Sequence, residues 1–220
     1  MDISGVIFDL DGVIVSTDDC HYLAWKRMAD EEGIYFDREI NMRLRGVSRM
    51  ESLAIILERA ERSYADEEKV ALATRKNGYY RELIEKLTPA DLLPGVLDFL
   101  SALRARGVKM AIGSSSKNSP VILERIGLGH YFEATADGND ISRSKPDPEV
   151  FLLAATRLEL TPAQCLVVED ADAGIEAALA AGMRVLAVGA AAQNLRATLR
   201  AVDLAAITVD DVLAAPMATA

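Results

Sequence analysis

Asp9 and Asp11 stand two residues apart in Asp9-Leu10-Asp11-Gly12-Val13, directly after the apolar run Ile3-Ser4-Gly5-Val6-Ile7-Phe8. A β-branched run of this kind reads as a strand, and side chains two apart share a face if the strand continues. Gly12 lets the backbone turn sharply just beyond them. Two carboxylates at a strand tip offer two chemistries. They can hold a hard cation through oxygen, or one of them can attack an electrophile. The plain alternative is an acidic loop cap, and this stretch alone does not separate the readings.

Other stretches carry the same double meaning. Gly113-Ser114-Ser115-Ser116-Lys117-Asn118 follows the apolar run ending at Ile112. Small hydroxyl residues and backbone N–H groups before a helix make a phosphate cradle or a helix cap, and both readings can hold. Lys145, in Ser144-Lys145-Pro146-Asp147-Pro148, is aimed by prolines that fix the loop; otherwise it is a solvated surface lysine. Glu169-Asp170 follows Val167-Val168 and adds acid at another strand end, a costly cluster unless a cation sits in it. Asp170 and Asp172 singly read as helix caps. Ser48 and Glu51 form a capping box beside Gly46 and Arg49, a second phosphate site or a surface arginine on a well-capped helix. His21 lies one turn before Trp25. Lys76 interrupts a stripe of Leu72, Tyr79 and Leu83, so it snorkels or faces a cleft.

Strands and helices must position these residues. Val108–Ile112, Cys165–Val168 and Arg184–Val188 read as buried parallel strands like the first. Helical stretches at Val96–Arg106, Ser119–Ile126, Pro148–Arg157 and Ala173–Ala180 lie between them. The alternation predicts an α/β fold, a doubly wound parallel sheet. Residues 17–87 read differently, as helices with stripes Tyr22/Trp25/Ala29, Met50/Leu53/Leu57/Ala60 and Val70/Ala73/Asn77/Tyr80/Ile84/Leu87. The predicted organisation is therefore an α/β domain over 1–16 and 88–220 with a helical domain over 17–87 inserted after the first strand. Two chain crossings would form its hinge.

Half of the 220 residues are hydrophobic and the net charge is −10. Such a chain has a packed core and, without a basic block, no natural affinity for nucleic acid or an anionic membrane. Cys20 and Cys165 have neither disulfide nor metal spacing and read as reduced thiols. The chain enters its first strand without a basic region and long apolar stretch, so a cytoplasmic protein is expected.

Taken together, these residues resemble the haloacid dehalogenase-like superfamily of aspartyl-phosphate enzymes. Asp9-x-Asp11-Gly12-Val13, Ser114, Lys145 and Glu169-Asp170 match its four motifs in order, and the helical insert is similar to its cap domain. The likeness extends to the β-phosphoglucomutase family through His21, Ala24-Trp25, Gly46-Val47-Ser48-Arg49, Arg75-Lys76-Asn77, Ser116-Lys117-Asn118 and Ser144-Lys145-Pro146. It departs from that family's usual residues at Ser16, Arg45 and Met50.

The resemblance implies roles. Asp9 would be the nucleophile and Asp11 the general acid and base, with Ser114 and Lys145 balancing phosphoryl charge. Mg²⁺ would be held by Asp9, the Asp11 main-chain carbonyl, Asp170 and Glu169. Substrate contacts would come from His21, Trp25, Gly46, Val47, Ser48, Arg49, Lys76, Ser116, Lys117 and Asn118, with His21 and Lys76 orienting Asp11. The implied reaction turns β-D-glucose 1-phosphate into β-D-glucose 6-phosphate through glucose 1,6-bisphosphate, on a monomer. A Mg²⁺-dependent phosphatase of small phosphate esters is the nearest rival. A non-catalytic phospho-acceptor of the receiver type is another, but it should lack a helical insert after the first strand.

Overall fold

The computed structural model describes residues 2–44 and 47–216. Arg45 and Gly46, the latter expected to contact substrate, lie outside the described residues. The chain divides into two compact units, Met1–Ser16 with Thr88–Ala220, and Thr17–Leu87.

The first unit is a parallel sheet with helices packed against it. In chain order it contains β1 (Gly5–Phe8) and, after the helical unit, α5 (Val96–Ala105), β2 (Lys109–Gly113), α6 (Ser119–Arg125), β3 (Ala134–Ala136) and α7 (Glu149–Arg157). Next come β4 (Cys165–Glu169), α8 (Asp172–Ala180), β5 (Arg184–Ala187), β6 (Leu199–Arg200) and α9 (Val209–Leu213). Among the described residues the strand order is β3-β2-β1-β4-β5-β6, so the first strand is central. Every pairing is parallel.

The strands are apolar on both sides because both faces are covered. Ile7, Ala111, Val167 and Val185 join the core formed with Val150, Phe151 and Ile175 of α7 and α8. Phe8, one residue on, points to the other face and meets Phe99 of α5 edge-on, with ring centroids 6.3 Å apart. Register then sets the site. Phe8 pairs with Ile112 on one side and Val168 on the other. The chain therefore leaves β1, β2 and β4 at one level, delivering Asp9, Ser114 and the Glu169-Asp170 pair to the same end of the sheet.

The expected fold class stands, with two additions. β3 and β6 are short edge strands, and neither carries the apolar run that makes a strand legible in sequence.

The second unit holds α1 (Asp18–Glu31), α2 (Arg38–Met42), α3 (Arg49–Leu57) and α4 (Asp66–Ile84). Its own core includes Trp25, Met28, Phe36, Leu53, Ile56 and Leu72. The buried face of α4 runs Leu72, Ala73, Lys76, Tyr80 and Ile84. The stripe expected through Val70 and Asn77 is thus rotated. Val70 is exposed, as is Met50 in the first turn of α3. No helix among the described residues is long and apolar enough to cross a membrane.

Candidate active site

β1 stops at Phe8, but Asp9 keeps one ladder bond, its N–H donating to the Val168 carbonyl at 2.9 Å. The Asp9 carboxylate is thereby held at the mouth of the sheet and is nearly buried. Lys145 reaches it from the loop ahead of α7. Its Nζ lies 2.6 Å from Asp9 Oδ1 and 2.8 Å from Glu169 Oε2. The ammonium sits 4.6 Å from the centroid of the Phe151 ring. The surface-lysine alternative is therefore excluded: the Lys145 side chain is only 7% exposed. The Lys145–Pro146 peptide is cis.

Glu169 ends β4, and its Oε1 accepts the N–H groups of Asp170 and Ala171, both at 3.1 Å. This turns the Asp170 carboxylate back toward the sheet mouth. Gly12 has φ +84°, and a Cβ there would fall 2.1 Å from Asp170 Oδ2, so only glycine fits.

Asp9, Glu169 and Asp170 can each offer an oxygen, all within 4.8 Å of one another. The Asp11 side chain is not in that set. One lysine does not balance this much acid. Burial, with the charges of Asp9, Glu169 and Asp11, pushes Asp170 up to about 8. Burial also raises Glu169 against the pull of Lys145. Burial alone would depress Lys145, yet attraction from Asp9 and Glu169 outweighs it and raises its pKa. An all-oxygen, over-acidic pocket fits a small hard cation, and Mg²⁺ satisfies that chemistry.

The loop after β2 is folded on its own hydroxyls. Ser114 Oγ accepts the Ser116 N–H and Ser116 Oγ accepts the Asn118 N–H, both at 3.2 Å. Ser119 Oγ donates to the Ser116 carbonyl at 2.9 Å. Ser114 and Asn118 are buried. A turn that sequence reasoning passed over, Asp137-Gly138-Asn139-Asp140 after β3, packs against this loop. Its composition marks a turn, but β3 is too short to signal that a sheet strand feeds it.

In the helical unit, Lys76 does not snorkel. It is 2% exposed. Its Nζ lies 4.6 Å from the Trp25 ring centroid, 4.8 Å from that of Tyr80 and 2.9 Å from His21 Nδ1. Burial, then the charges of Lys76 and Arg49, drives the His21 pKa well below its usual value. A neutral His21 accepts from the ammonium at Nδ1, which leaves the proton on Nε2. Trp25 belongs to the apolar core of the helical unit and presents its ring to the Lys76 ammonium.

Ser48 caps α3. Its Oγ accepts from Glu51 N–H at 3.3 Å, and Glu51 Oε2 accepts from Ser48 N–H at 2.9 Å. Arg49 in the first turn is half-buried and its pKa is lowered by that burial. Val47 is exposed.

A central aspartate against a buried lysine, with two further acids at the next strand end, defines a class of phosphoryl-handling α/β enzyme. Residues 3–182 match the model of the haloacid dehalogenase-like hydrolases, and the chain belongs to that family. Within it, the chain is 47% identical over 196 residues to the β-phosphoglucomutase of Bacillus subtilis (strain 168), spanning 88% of this chain and 87% of that protein. It is 36% identical over 180 residues to a fructose-1-phosphate phosphatase of Escherichia coli (strain K12), spanning 82% and 93%. The crystal structure of a β-phosphoglucomutase from Clostridium difficile superposes with a TM-score of 0.88 at 39% identity, covering 96% of this chain and 95% of that one.

Proposed function

We propose that this enzyme is a phosphosugar mutase that converts β-D-glucose 1-phosphate to β-D-glucose 6-phosphate. The observation that carries the reading is the 47% identity to a β-phosphoglucomutase over nearly the whole of both chains. The site supports it: Asp9 Oδ1 is held against a buried ammonium at the sheet mouth, with the acids of Glu169 and Asp170 beside it.

In this reading the resting form carries a phosphoryl group on Asp9. The sugar 6-hydroxyl attacks phosphorus, the bond to Asp9 breaks, and Asp11 takes the hydroxyl proton. The 1,6-bisphosphate then reorients and Asp9 attacks the phosphorus at position 1. The bond to the anomeric oxygen breaks, Asp11 returns the proton, and β-D-glucose 6-phosphate leaves with Asp9 phosphorylated again. Lys145 and Ser114 hold the oxygens of the phosphoryl group, and Ser116, Lys117 and Asn118 line its surroundings. Mg²⁺, held by Asp9, Asp170, Glu169 and the Asp11 carbonyl, supplies positive charge to those oxygens when bound. Arg49, with the main chain of Gly46, Val47 and Ser48, takes the phosphate that is not being transferred. His21 and Lys76 belong to the substrate-facing set. The rate enhancement is then mainly positioning and charge stabilisation. One chain carries every named residue, and we read it as a monomer acting in the cytoplasm.

Hydrolysis is the second reading, favoured by the 36% identity to a fructose-1-phosphate phosphatase. One assay separates them. Purified protein receives Mg²⁺, β-glucose 1-phosphate and a trace of the 1,6-bisphosphate, and glucose 6-phosphate and free phosphate are followed together. Glucose 6-phosphate well ahead of free phosphate is expected. Free phosphate alone would make the protein a phosphatase.

A further inference from the structure

The turn after β3 has no part in the chemistry above, yet it grips the loop that follows β2. Gly138 N–H donates to the Ser116 carbonyl at 3.2 Å, and Ser114 N–H donates to the Ala136 carbonyl at 3.0 Å. The Asn139 side-chain amide donates to the Lys117 carbonyl at 3.0 Å. A trans peptide is planar, so an N–H points opposite to the carbonyl of the preceding residue. With the Ser116 carbonyl turned to Gly138, the Lys117 N–H faces away from the turn, and no protein acceptor meets it among the described residues. The Ser115 N–H likewise has none there. Ser115 is half-buried and Lys117 lies at the exposed edge of the loop; adjacent loop N–H groups without protein acceptors are suited to an anion.

The grip is itself braced. Asp137, which is buried, accepts both the backbone N–H of Asn139 at 2.7 Å and its side-chain amide at 3.0 Å. Asp140 accepts the Asp137 N–H at 3.0 Å. It also accepts the fork of Arg157 on α7, at 2.8 and 2.9 Å. Arg157 further donates to the Thr135 carbonyl of β3. The Arg157 bond, then that from Asp137 N–H, holds the Asp140 carboxyl at about 2, so the pair stays charged across any working pH. Contact is also close: a Cβ on Gly138 would fall 2.4 Å from the Ser115 carbonyl oxygen and 2.9 Å from Lys117 N.

We infer that Asn139, braced by Asp137 and the Arg157–Asp140 pair, is a positioning residue: together with the Gly138 N–H on the Ser116 carbonyl, its grip on the Lys117 carbonyl holds the Ser114–Asn118 loop in the shape that leaves the Ser115 and Lys117 amides open to a phosphoryl group. The inference rests on reading that loop as a phosphoryl site.

The test uses full-length ¹⁵N-labelled protein with Mg²⁺, titrated with inorganic phosphate while the Ser115 and Lys117 amide signals are followed. In the wild type both signals should move on phosphate addition. Asn139→Ala should bind phosphate about five- to tenfold more weakly, the scale of one lost hydrogen bond. Its Mg²⁺ affinity should be unchanged, and its melting point should stay within about 2 °C because the side chain is exposed. Arg157→Lys, which keeps the charge and loses the fork, should weaken phosphate in the same direction by about twofold. Silent Ser115 and Lys117 amides in the wild type would overturn the inference. So would unchanged phosphate affinity in both variants, or a loss matched by an equal loss of Mg²⁺ affinity. A wild type that binds phosphate through these amides but fails the mutase assay would sink the mutase reading and leave this one standing.

Discussion

In the proposed reaction Asp9 is the nucleophile, and the structure holds its carboxylate firmly. Its Oδ1 is 2.6 Å from a buried ammonium that also serves Glu169. A carboxylate held against an ammonium in this way is fixed in aim, which a nucleophile needs. Asp9→Asn should abolish both phospho-enzyme and turnover, leaving less than about a thousandth of wild-type rate; radiolabelled bisphosphate followed by denaturing electrophoresis would detect any residual adduct. Asp11→Asn should permit at most slow labelling of Asp9 while blocking transfer to sugar, a split that single-turnover quenching resolves. The acids also make a pH prediction. Without metal, burial and its acidic neighbours raise Asp170 to about 8, so at neutral pH the proton and the cation compete for it. Mg²⁺ affinity should therefore rise with pH up to about 8 and flatten above, by at most about tenfold per pH unit. Calorimetric titrations at pH 6.5, 7.5 and 8.5 in buffers of different ionisation heat would show proton release; a pH-independent affinity would refute it.

At the scale of elements, α1 and α4 bring a half-buried histidine against a buried lysine. His21 is forced neutral by burial, then by Lys76 and Arg49. In the unfolded chain it titrates near 6.5, so below that pH the unfolded state binds more protons. Stability then rises with pH through the window below 6.5, with a slope of at most about 1.4 kcal/mol per pH unit. Glu169 and Asp170, whose pKa values are raised, contribute with the opposite sign, so the comparison must be against His21→Asn. That variant should lose less stability than wild type between pH 7.5 and 5.5 in urea titrations; parallel losses would exclude His21 as the source. This pair also shows where sequence legibility ends. The 3.6-residue period revealed helices at α1, α3 and α4, but it placed the stripe of α4 through Val70 and Asn77. The buried face in fact runs through Leu72 and Lys76. A lysine counts as polar in any periodicity argument, and only its partners, the Trp25 and Tyr80 rings and His21, make its burial affordable. The central strands were legible because each is a continuous apolar run. β3, only Ala134–Ala136, is not legible, and neither is the turn after it that grips the Ser114–Asn118 loop. Asp9, Lys145 and Glu169-Asp170 were legible as separate chemical punctuation at strand or loop ends. Their mutual distances were not, because those depend on register between strands far apart in sequence.

The molecule as a whole has two compact units joined by two chain crossings. The core between the sheet, α7 and α8 is built entirely from residues outside 17–87, and that of the helical unit entirely within them. The crossings leave the α/β unit side by side. Val15 bridges Leu92 in antiparallel fashion, and Leu93 N–H donates to the Ile14 carbonyl at 3.0 Å. Chain ends already paired in this way can be joined by a short loop at small entropic cost. Each unit also buries its own apolar face, the condition for folding alone. Replacing residues 17–87 with a four-residue Gly/Ser linker should therefore yield a protein that unfolds cooperatively in urea. It should still be stabilised by Mg²⁺, because Asp9, Glu169 and Asp170 all remain. It should keep Ser116, Lys117 and Asn118 but lack His21, Trp25, Arg49, Lys76 and the other proposed substrate residues of 17–87, and so should transfer nothing to glucose 1-phosphate while hydrolysing a small acyl phosphate slowly. Retained mutase activity would remove the helical unit from substrate recognition. A linker variant that folds but no longer gains stability from Mg²⁺ would mean that the acids at the sheet mouth need the helical unit to be correctly placed.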